Sequence, residues 1–216
     1  MYSIYKNHIS HKNVGQLCSS VLAMYMEFVF HGRGGQGAVT ASNVLVQAAI
    51  FEGLHGQSFP FFGAERRGAP VTAYARISDK PILRHSMIRS ADVVVVLDDS
   101  LLKLGVVKRT KIKQNGVLIV NTSSDRIDTT WISADGPVKV YTIDATKIAV
   151  DLGLVLAGWP LVNTSILGSI AKATGVISME SIEKAILHYF GEKLGEKNAR
   201  AARLAYENTK FVMEVS

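Results

Sequence analysis

Phe28-Val29-Phe30-His31-Gly32-Arg33-Gly34-Gly35-Gln36-Gly37-Ala38-Val39-Thr40-Ala41-Ser42 is the stretch that decides the fold. A short apolar run feeds a glycine-rich turn, and the turn opens into residues at helical spacing. Gly32, Gly34 and Gly37 satisfy G-x-G-x-x-G, with the strand before and the helix after that the motif requires. Glycine lets the backbone turn sharply and come close to a ligand. The free N–H groups of a first helical turn, with the helix dipole behind them, favour an anion. The turn is therefore a candidate cradle for a phosphate or pyrophosphate, although a tight strand-to-helix turn without a ligand explains the motif alone equally well.

Working outward, Glu27 to Phe30 reads as a buried strand and Gly35 or Gln36 to about Glu52 as a helix stopped by Gly53. A second short strand is expected around His55 to Phe59. Pro60 to Pro70 is a loop, with two prolines, two glycines and the charged run Glu65-Arg66-Arg67. Arg66 and Arg67 could hold phosphates or carboxylates through fork-shaped hydrogen bonds, with Glu65 pairing one of them; a solvated turn is the plainer reading. Val71 to Ile77 alternates as a strand, with a turn at Ser78–Pro81 and a returning strand at Ile82-Leu83, which predicts an inserted antiparallel hairpin.

Ala91 to Leu97 is the β-branched run of a parallel strand buried on both faces. It ends at Asp98-Asp99, where ligands of open α/β sheets lie, although Asp99 or Ser100 as a helix cap accounts for those residues too. Asn115-Gly116 turns into a strand Val117–Val120 ending at Asn121, and Val138–Ile143 is another, ending at Asp144. Helices are expected over 145–152, 161–174 (containing Asn163 and Gly168, suited to close packing), 178–189 and 192–213. The fold class is α/β: a Rossmann-like, mostly parallel sheet flanked by helices, with an inserted hairpin and a helical C-terminal part.

The 216 residues suffice for one sizeable domain. Residues 26–216 read as that domain and residues 1–25 as an N-terminal extension, too short and broken to span a membrane. The net charge of +6 comes from dispersed Lys and Arg with no nucleic-acid-binding signature, so nucleic acid is not the expected partner. Cys18 is the only cysteine, which excludes an internal disulfide and a self-contained iron–sulfur cluster and fits a cytoplasmic protein. No zinc motif is present.

A nicotinamide dehydrogenase should place an acid at the end of the second strand, but Glu52 sits at a helix end before that strand. No Walker lysine follows Gly37, and no nucleophile elbow surrounds any serine. His31 flanks the glycine turn, and the other histidines are scattered. Read from the residues, the chain is an α/β phosphate-binding scaffold with no catalytic residue and no metal site of its own.

Three pieces in order carry a resemblance: His31 to Gly37 with Thr40-Ala41-Ser42; Phe62-Gly-Ala-Glu-Arg-Arg-Gly-Ala-Pro70 followed by a strand ending Arg76-Ile77-Ser78; and Asp144-Ala-Thr146 with Ile148-Ala149, then Asn163 ahead of Leu167-Gly168. Together they resemble the gamma subunit, or gamma domain, of 2-oxoacid:ferredoxin oxidoreductases, pyruvate:ferredoxin oxidoreductase (pyruvate synthase) above all. The likeness runs from about Met26 to the last helix and does not include the first 25 residues.

The resemblance implies a complex that oxidatively decarboxylates a 2-oxoacid, transfers the acyl group to coenzyme A and reduces ferredoxin. Thiamine diphosphate and the iron–sulfur clusters would belong to alpha, beta and delta partner subunits, and this chain would carry no cofactor beyond its contact with coenzyme A. Gly34, Gly35, Gln36 and Gly37 would then offer backbone N–H groups to coenzyme A phosphates. Arg33 would add charge, and the Glu65-Arg66-Arg67 loop would touch either coenzyme A or another subunit. Indolepyruvate and 2-oxoglutarate forms of the complex, and a free-standing nucleotide-binding enzyme, stay open as alternatives.

Overall fold

The computed structural model describes residues 24–61 and 68–215. In chain order the elements are β1 (Tyr25–Arg33), α1 (Ala38–Phe51), β2 (His55–Phe61), β3 (Pro70–Ser78), β4 (Ser90–Val96), α2 (Ser100–Lys103), β5 (Lys111–Asn121), β6 (Ser133–Ala134), β7 (Val138–Ile143), α3 (Ala145–Asp151), β8 (Val155–Leu156), β9 (Trp159–Pro160), α4 (Ser165–Thr174), α5 (Met179–Asn208) and β10 (Lys210–Val215). One sheet runs in the order β10-β7-β5-β4-β1-β3-β2, with β6 added to β5. β7, β5, β4 and β1 are parallel. β10 joins β7, and β3 joins β1, in antiparallel sense. The sheet is thus the expected parallel core with antiparallel edges. Of the expected extension, all but Met24 and Tyr25 lies outside the described residues, as do Cys18 and the Glu65-Arg66-Arg67 run.

The parallel core forms because its strands are β-branched runs that can be buried on both faces. Val93, Val94, Val95 and Val96 are all fully buried. Alternation divides them between two apolar layers. Phe28, Phe30, Val93 and Val95 face α1, α4 and α5, while Val29, Val94, Val96 and Leu118 face the thinner cover of Leu101, Leu102 and Val107. α4 and α5 pack closely because Gly168 has no side chain. A Cβ there would run into the carbonyl oxygen of Ala202 and lie 2.8 Å from its carbonyl carbon.

Three expectations need correction. The partner of β3 across a hairpin is β2, not Ile82-Leu83, which form no strand. Ile82 and Leu83 stand next to Pro81 and give no alternating run, whereas β2 contributes seven consecutive pairs, His55↔Ser78 to Phe61↔Thr72. The last helix ends at Asn208, and Lys210–Val215 is an edge strand. Its short Phe-Val-Met-Glu-Val stretch adjoins an alanine-rich helical run and is hidden by it. Asn115-Gly116 is an irregularity inside β5 rather than a turn before it, with Asn115 at φ 61° and the β4–β5 register shifting between Ala91 and Val93. The expected break between two C-terminal helices stands inside α5 at Gly191, φ 72°.

Substituting Gly168→Ala should push α4 off α5 and destabilise the protein by about 2 kcal/mol, the usual range for overpacking against backbone. Chemical denaturation of the purified chain checks this, and an unchanged midpoint would show that the helices can separate freely.

Candidate functional site

From β1 the chain crosses through α1 to β2 and β3 on one side of β1, and it enters β4 on the other side. Ligands of open α/β sheets bind in the crevice at such a switch point, outside the carboxyl ends of the strands. A cavity of about 640 Å³ lies there, lined by Gln36 after β1, Asp98 after β4, Asn121 and Thr122 at the end of β5, Thr146 at the start of α3, and Trp159 of β9.

The glycine turn reaches this cavity through Gln36. Gly35 and Gly37 have φ values of 101° and 80°, which side chains rarely adopt. Gly37 is doubly constrained, because a Cβ on it would lie 2.9 Å from Cβ of the buried Asn163. Helix α1 therefore starts against Asn163, close before α4 in the chain. No side chain caps α1 and no acid lies in its first turn, so its first N–H groups keep the partial positive charge of a helix start.

The backbone donors of the turn divide in two. Gly34 donates to Ala69 O (2.8 Å) and Gln36 to Arg33 O (3.0 Å), while Gly68 donates to Gly34 O (3.0 Å). These bonds shape the turn and fasten it to the chain just beyond the 62–67 loop. The N–H groups of Gly35 and Gly37 have no partner among the described residues.

Arg33 faces inward. Its Nε donates to Asp98 Oδ2 (3.0 Å), Nη1 to Gly68 O (3.0 Å) and Nη2 to Ser100 Oγ (2.7 Å). Gln36 completes the clamp, accepting from Arg33 N (2.7 Å) and donating to Asp98 Oδ2 (3.2 Å). Burial raises the Asp98 carboxyl, but hydrogen bonds from Ser100 and Gln36 and the Arg33 charge outweigh it and hold the group below its ordinary value. Asp98 is also the residue that accepts from Ser100 N at the start of α2, where the sequence pointed to Asp99 or Ser100 as the cap.

The cavity is lined by carboxylates that are already engaged. Asp99 accepts from Thr122 Oγ1 (2.7 Å), Asp144 from Lys147 N (2.8 Å) as the cap of α3, and Asp151 from Lys147 Nζ (2.5 Å). Asn121, 6% exposed, ties the ends of β4 and β5 to the start of α3: its Nδ2 donates to Leu97 O (2.8 Å) and Thr146 Oγ1 (2.9 Å), and its Oδ1 accepts from Thr146 N (3.2 Å). Sequence reasoning marks Asn121 only as a strand end; its buried bonding is not visible there.

Two other flagged residues lie elsewhere. Glu52 accepts from Ser178 N (2.8 Å) and Ser178 Oγ (2.6 Å), linking the end of α1 to the start of α5. His31 projects to the opposite face of the sheet from α1, where Nε2 is 3.0 Å from Thr110 Oγ1.

The model of the family described as pyruvate ferredoxin/flavodoxin oxidoreductase matches residues 27–208. The chain belongs to that family. Among its relatives, the pyruvate/ketoisovalerate oxidoreductases common subunit gamma of Pyrococcus furiosus is 52% identical over 185 residues, covering 86% of this chain and 97% of its own. Pyruvate synthase subunit PorC of Methanocaldococcus jannaschii is 49% identical over 182 residues, covering 84% and 95%. The crystal structure of pyruvate oxidoreductase subunit PORC from Thermotoga maritima superposes with a TM-score of 0.71 at 35% identity, covering 88% of this chain and 99% of that one. The resemblance carried by the glycine turn, the Glu-Arg-Arg-Gly loop and the Asp144–Gly168 pieces is thereby borne out. Among the described residues of this family member, no helix is long and apolar enough to cross a membrane.

Burial lowers His31 from the ordinary 6.5 to about 4. The unfolded chain therefore binds this proton more readily than the folded one. The stability it contributes is full above pH 6.5 and is lost as the pH falls towards 4. Urea unfolding between pH 7 and 4.5 should show His31→Gln losing less stability than the parent, by on the order of 2 kcal/mol. Equal losses would mean that His31 titrates normally in the fold.

Proposed function

We propose that this chain is the gamma subunit of a multisubunit 2-oxoacid:ferredoxin oxidoreductase acting on pyruvate, and that its glycine turn binds phosphates of coenzyme A. The observation that carries the first part is similarity along 84–86% of the chain to proteins named as gamma or PorC subunits of such enzymes. One relative is named as common to pyruvate and ketoisovalerate oxidoreductases, which supports the reading that 2-oxoacid choice resides on other chains.

The complex would oxidatively decarboxylate the 2-oxoacid, pass the acyl group to coenzyme A and deliver electrons to ferredoxin. Thiamine diphosphate and iron–sulfur clusters would supply that chemistry on alpha, beta and delta partners. A cluster needs several thiolates, and this sequence has one cysteine. The role left to this chain is to hold coenzyme A and its neighbours in place, without a catalytic residue.

What supports the coenzyme A site is the pair of N–H groups at Gly35 and Gly37, beside the uncapped start of α1 and on either side in the chain of Gln36, which lines the switch-point cavity. A phosphate would gain charge-assisted hydrogen bonds there. Of the four cavity carboxylates, Asp98 is matched by Arg33 and Asp151 by Lys147. Asp99 and Asp144 accept hydrogen bonds from Thr122 Oγ1 and Lys147 N without a cation partner among the described residues, so an anion is favoured at the glycine turn rather than deep in the cavity. Arg33 and Gln36 hold the turn's shape. Gly68, next to Arg67 in the chain, is bonded to Gly34, so the Glu65-Arg66-Arg67 loop is the natural source of further cationic contact.

The test is the assembled complex carrying Gly35→Ala or Arg66→Ala. The KM for coenzyme A should rise about tenfold in each, through loss of one charge-assisted hydrogen bond at Arg66 and, at Gly35, because alanine keeps the N–H but does not readily hold φ 101° and so misdirects it, with KM for the 2-oxoacid unchanged. An intact complex with an unaltered KM for coenzyme A would end the ligand role. Purification from native extract as a lone chain would end the subunit role, and assaying the purified complex with pyruvate, indolepyruvate and 2-oxoglutarate decides the substrate.

A further inference from the structure

The sheet face turned away from α1, α4 and α5 is covered unequally. Over β4, β5 and β7 it is sealed by Leu101, Leu102 and Val107. Over β1, β3 and β2 it presents three cross-strand rows: Gln57–Arg76–Glu27, Phe59–Tyr74–Val29 and Phe61–Thr72–His31. The helix that packs on β2 and β3, α1, lies on the opposite face. Here the cover is the irregular segment between β3 and β4.

That segment is held from beneath by Arg76, which is completely buried. Its Nε donates to Glu27 Oε1 (3.0 Å), Nη1 to Gln57 Oε1 and Arg84 O (both 3.0 Å), and Nη2 to Ser86 O (2.5 Å). Gln57 Nε2 and His85 Nδ1 are 2.8 Å apart, and Ile88 is sunk into the apolar layer. Two backbone carbonyls are thus drawn inward, and apolar side chains flanking these anchors turn out. Leu83 is 87% exposed and Met87 48%, and Phe61 at the end of β2, which shares a hollow with Met87, is 46% exposed.

A hollow of about 960 Å³ lies on one side of Met87, against Tyr25 and Leu83, and one of about 400 Å³ on the other, against Phe61 and Arg109. Arg84 and Arg89 border the first and Arg89 and Arg109 the second. None of these three has a carboxylate partner among the described residues.

Burying a guanidinium is costly unless every donor is used. Here the buried cation fixes an exposed stretch of chain that displays Leu83, 87% exposed, to water. A segment ordered in advance loses little entropy when it docks, and apolar patches rimmed by charge mark interaction surfaces. The charge selects the occupant. A second copy would bring the same arginines, and another +6, against this face, which is repulsive.

We propose that Leu83, Met87 and Phe61, framed by Arg84, Arg89 and Arg109, dock an acidic, apolar-centred surface on a different subunit of the oxidoreductase complex. This rests on the reading of the chain as a subunit.

The full chain, tagged and co-expressed with the other subunits of its complex, provides the test. Leu83→Asp, and separately Arg84→Glu with Arg89→Glu, should each lower recovery of partner subunits about tenfold or more, the loss expected when an interface hot spot is removed. The circular dichroism spectrum and thermal midpoint of each variant chain should match the parent. Leu194→Asp, at another exposed apolar site, should leave recovery unchanged.

Normal recovery with both variants would overturn this inference alone. So would self-association of the parent chain that Leu83→Asp abolishes, because the occupant would then be a second copy. If the parent recovers no partner at all, the subunit reading fails and this inference falls with it.

Discussion

The ion pair between Arg33 and Asp98 is the constraint on which the glycine-turn end of the molecule depends. Parallel pairing of β1 with β4 brings the two strands out side by side, and the clamp joins the turns at their carboxyl ends. It fixes the glycine turn to the end of β4, to the first turn of α2 and to Gly68 just before β3. Gln36 bonds both partners. With three of its nitrogens so engaged, Arg33 is an architectural cation. Any anion at the turn is met by backbone dipoles, whose positions the clamp sets, so the affinity of the turn is tied to its shape more than to its side chains.

The same logic explains why Gly37 admits no other residue. Its positive φ is one reason, but the contact with Asn163 is the stronger, because it draws the start of α1 against the chain leading into α4. α1, α4 and α5 all pack on one face of the sheet. The turn proposed to hold the ligand is therefore also a joint in the helical layer, and strain at one would be felt at the other.

Local patterns carried much of this into the sequence. The β-branched runs at 91–97 and 117–120 and the glycine punctuation at 32–37 and 53 each encode one element through one physical rule, and the parallel core arises from them. Pairing between distant segments was less legible. β2 reads weakly as a strand because His55-Gly-Gln-Ser lacks apolar alternation, and it is held by β3 rather than by its own propensity. β10 was masked by the helix before it, since nothing in Lys210–Val215 itself says that the edge of β7 is open.

The site was half legible. Of the candidate residues, Glu65, Arg66 and Arg67 lie outside the described residues, while Arg33 to Gly37 lie at the carboxyl end of β1 beside Asp98 after β4. Which of their donors are free depended on bonds to Ala69 and Asp98, which sequence spacing does not give. Arg76 was the residue least open to sequence reasoning. A charged residue in an alternating strand reads as solvent-facing, and only the convergence of Glu27, Gln57 and two carbonyls from the next loop makes burial tolerable. Such convergence has no short-range signature. It gives two parts of β1 separate work, with the strand's carboxyl end leading into the turn proposed to meet an anion and its outer face building the footing for an ordered segment rimmed by arginines. The two meet at His31, whose flanking residues lead one way into the glycine turn and whose ring is buried on the other face. Movement of the outer face would reach the turn through a single residue of backbone.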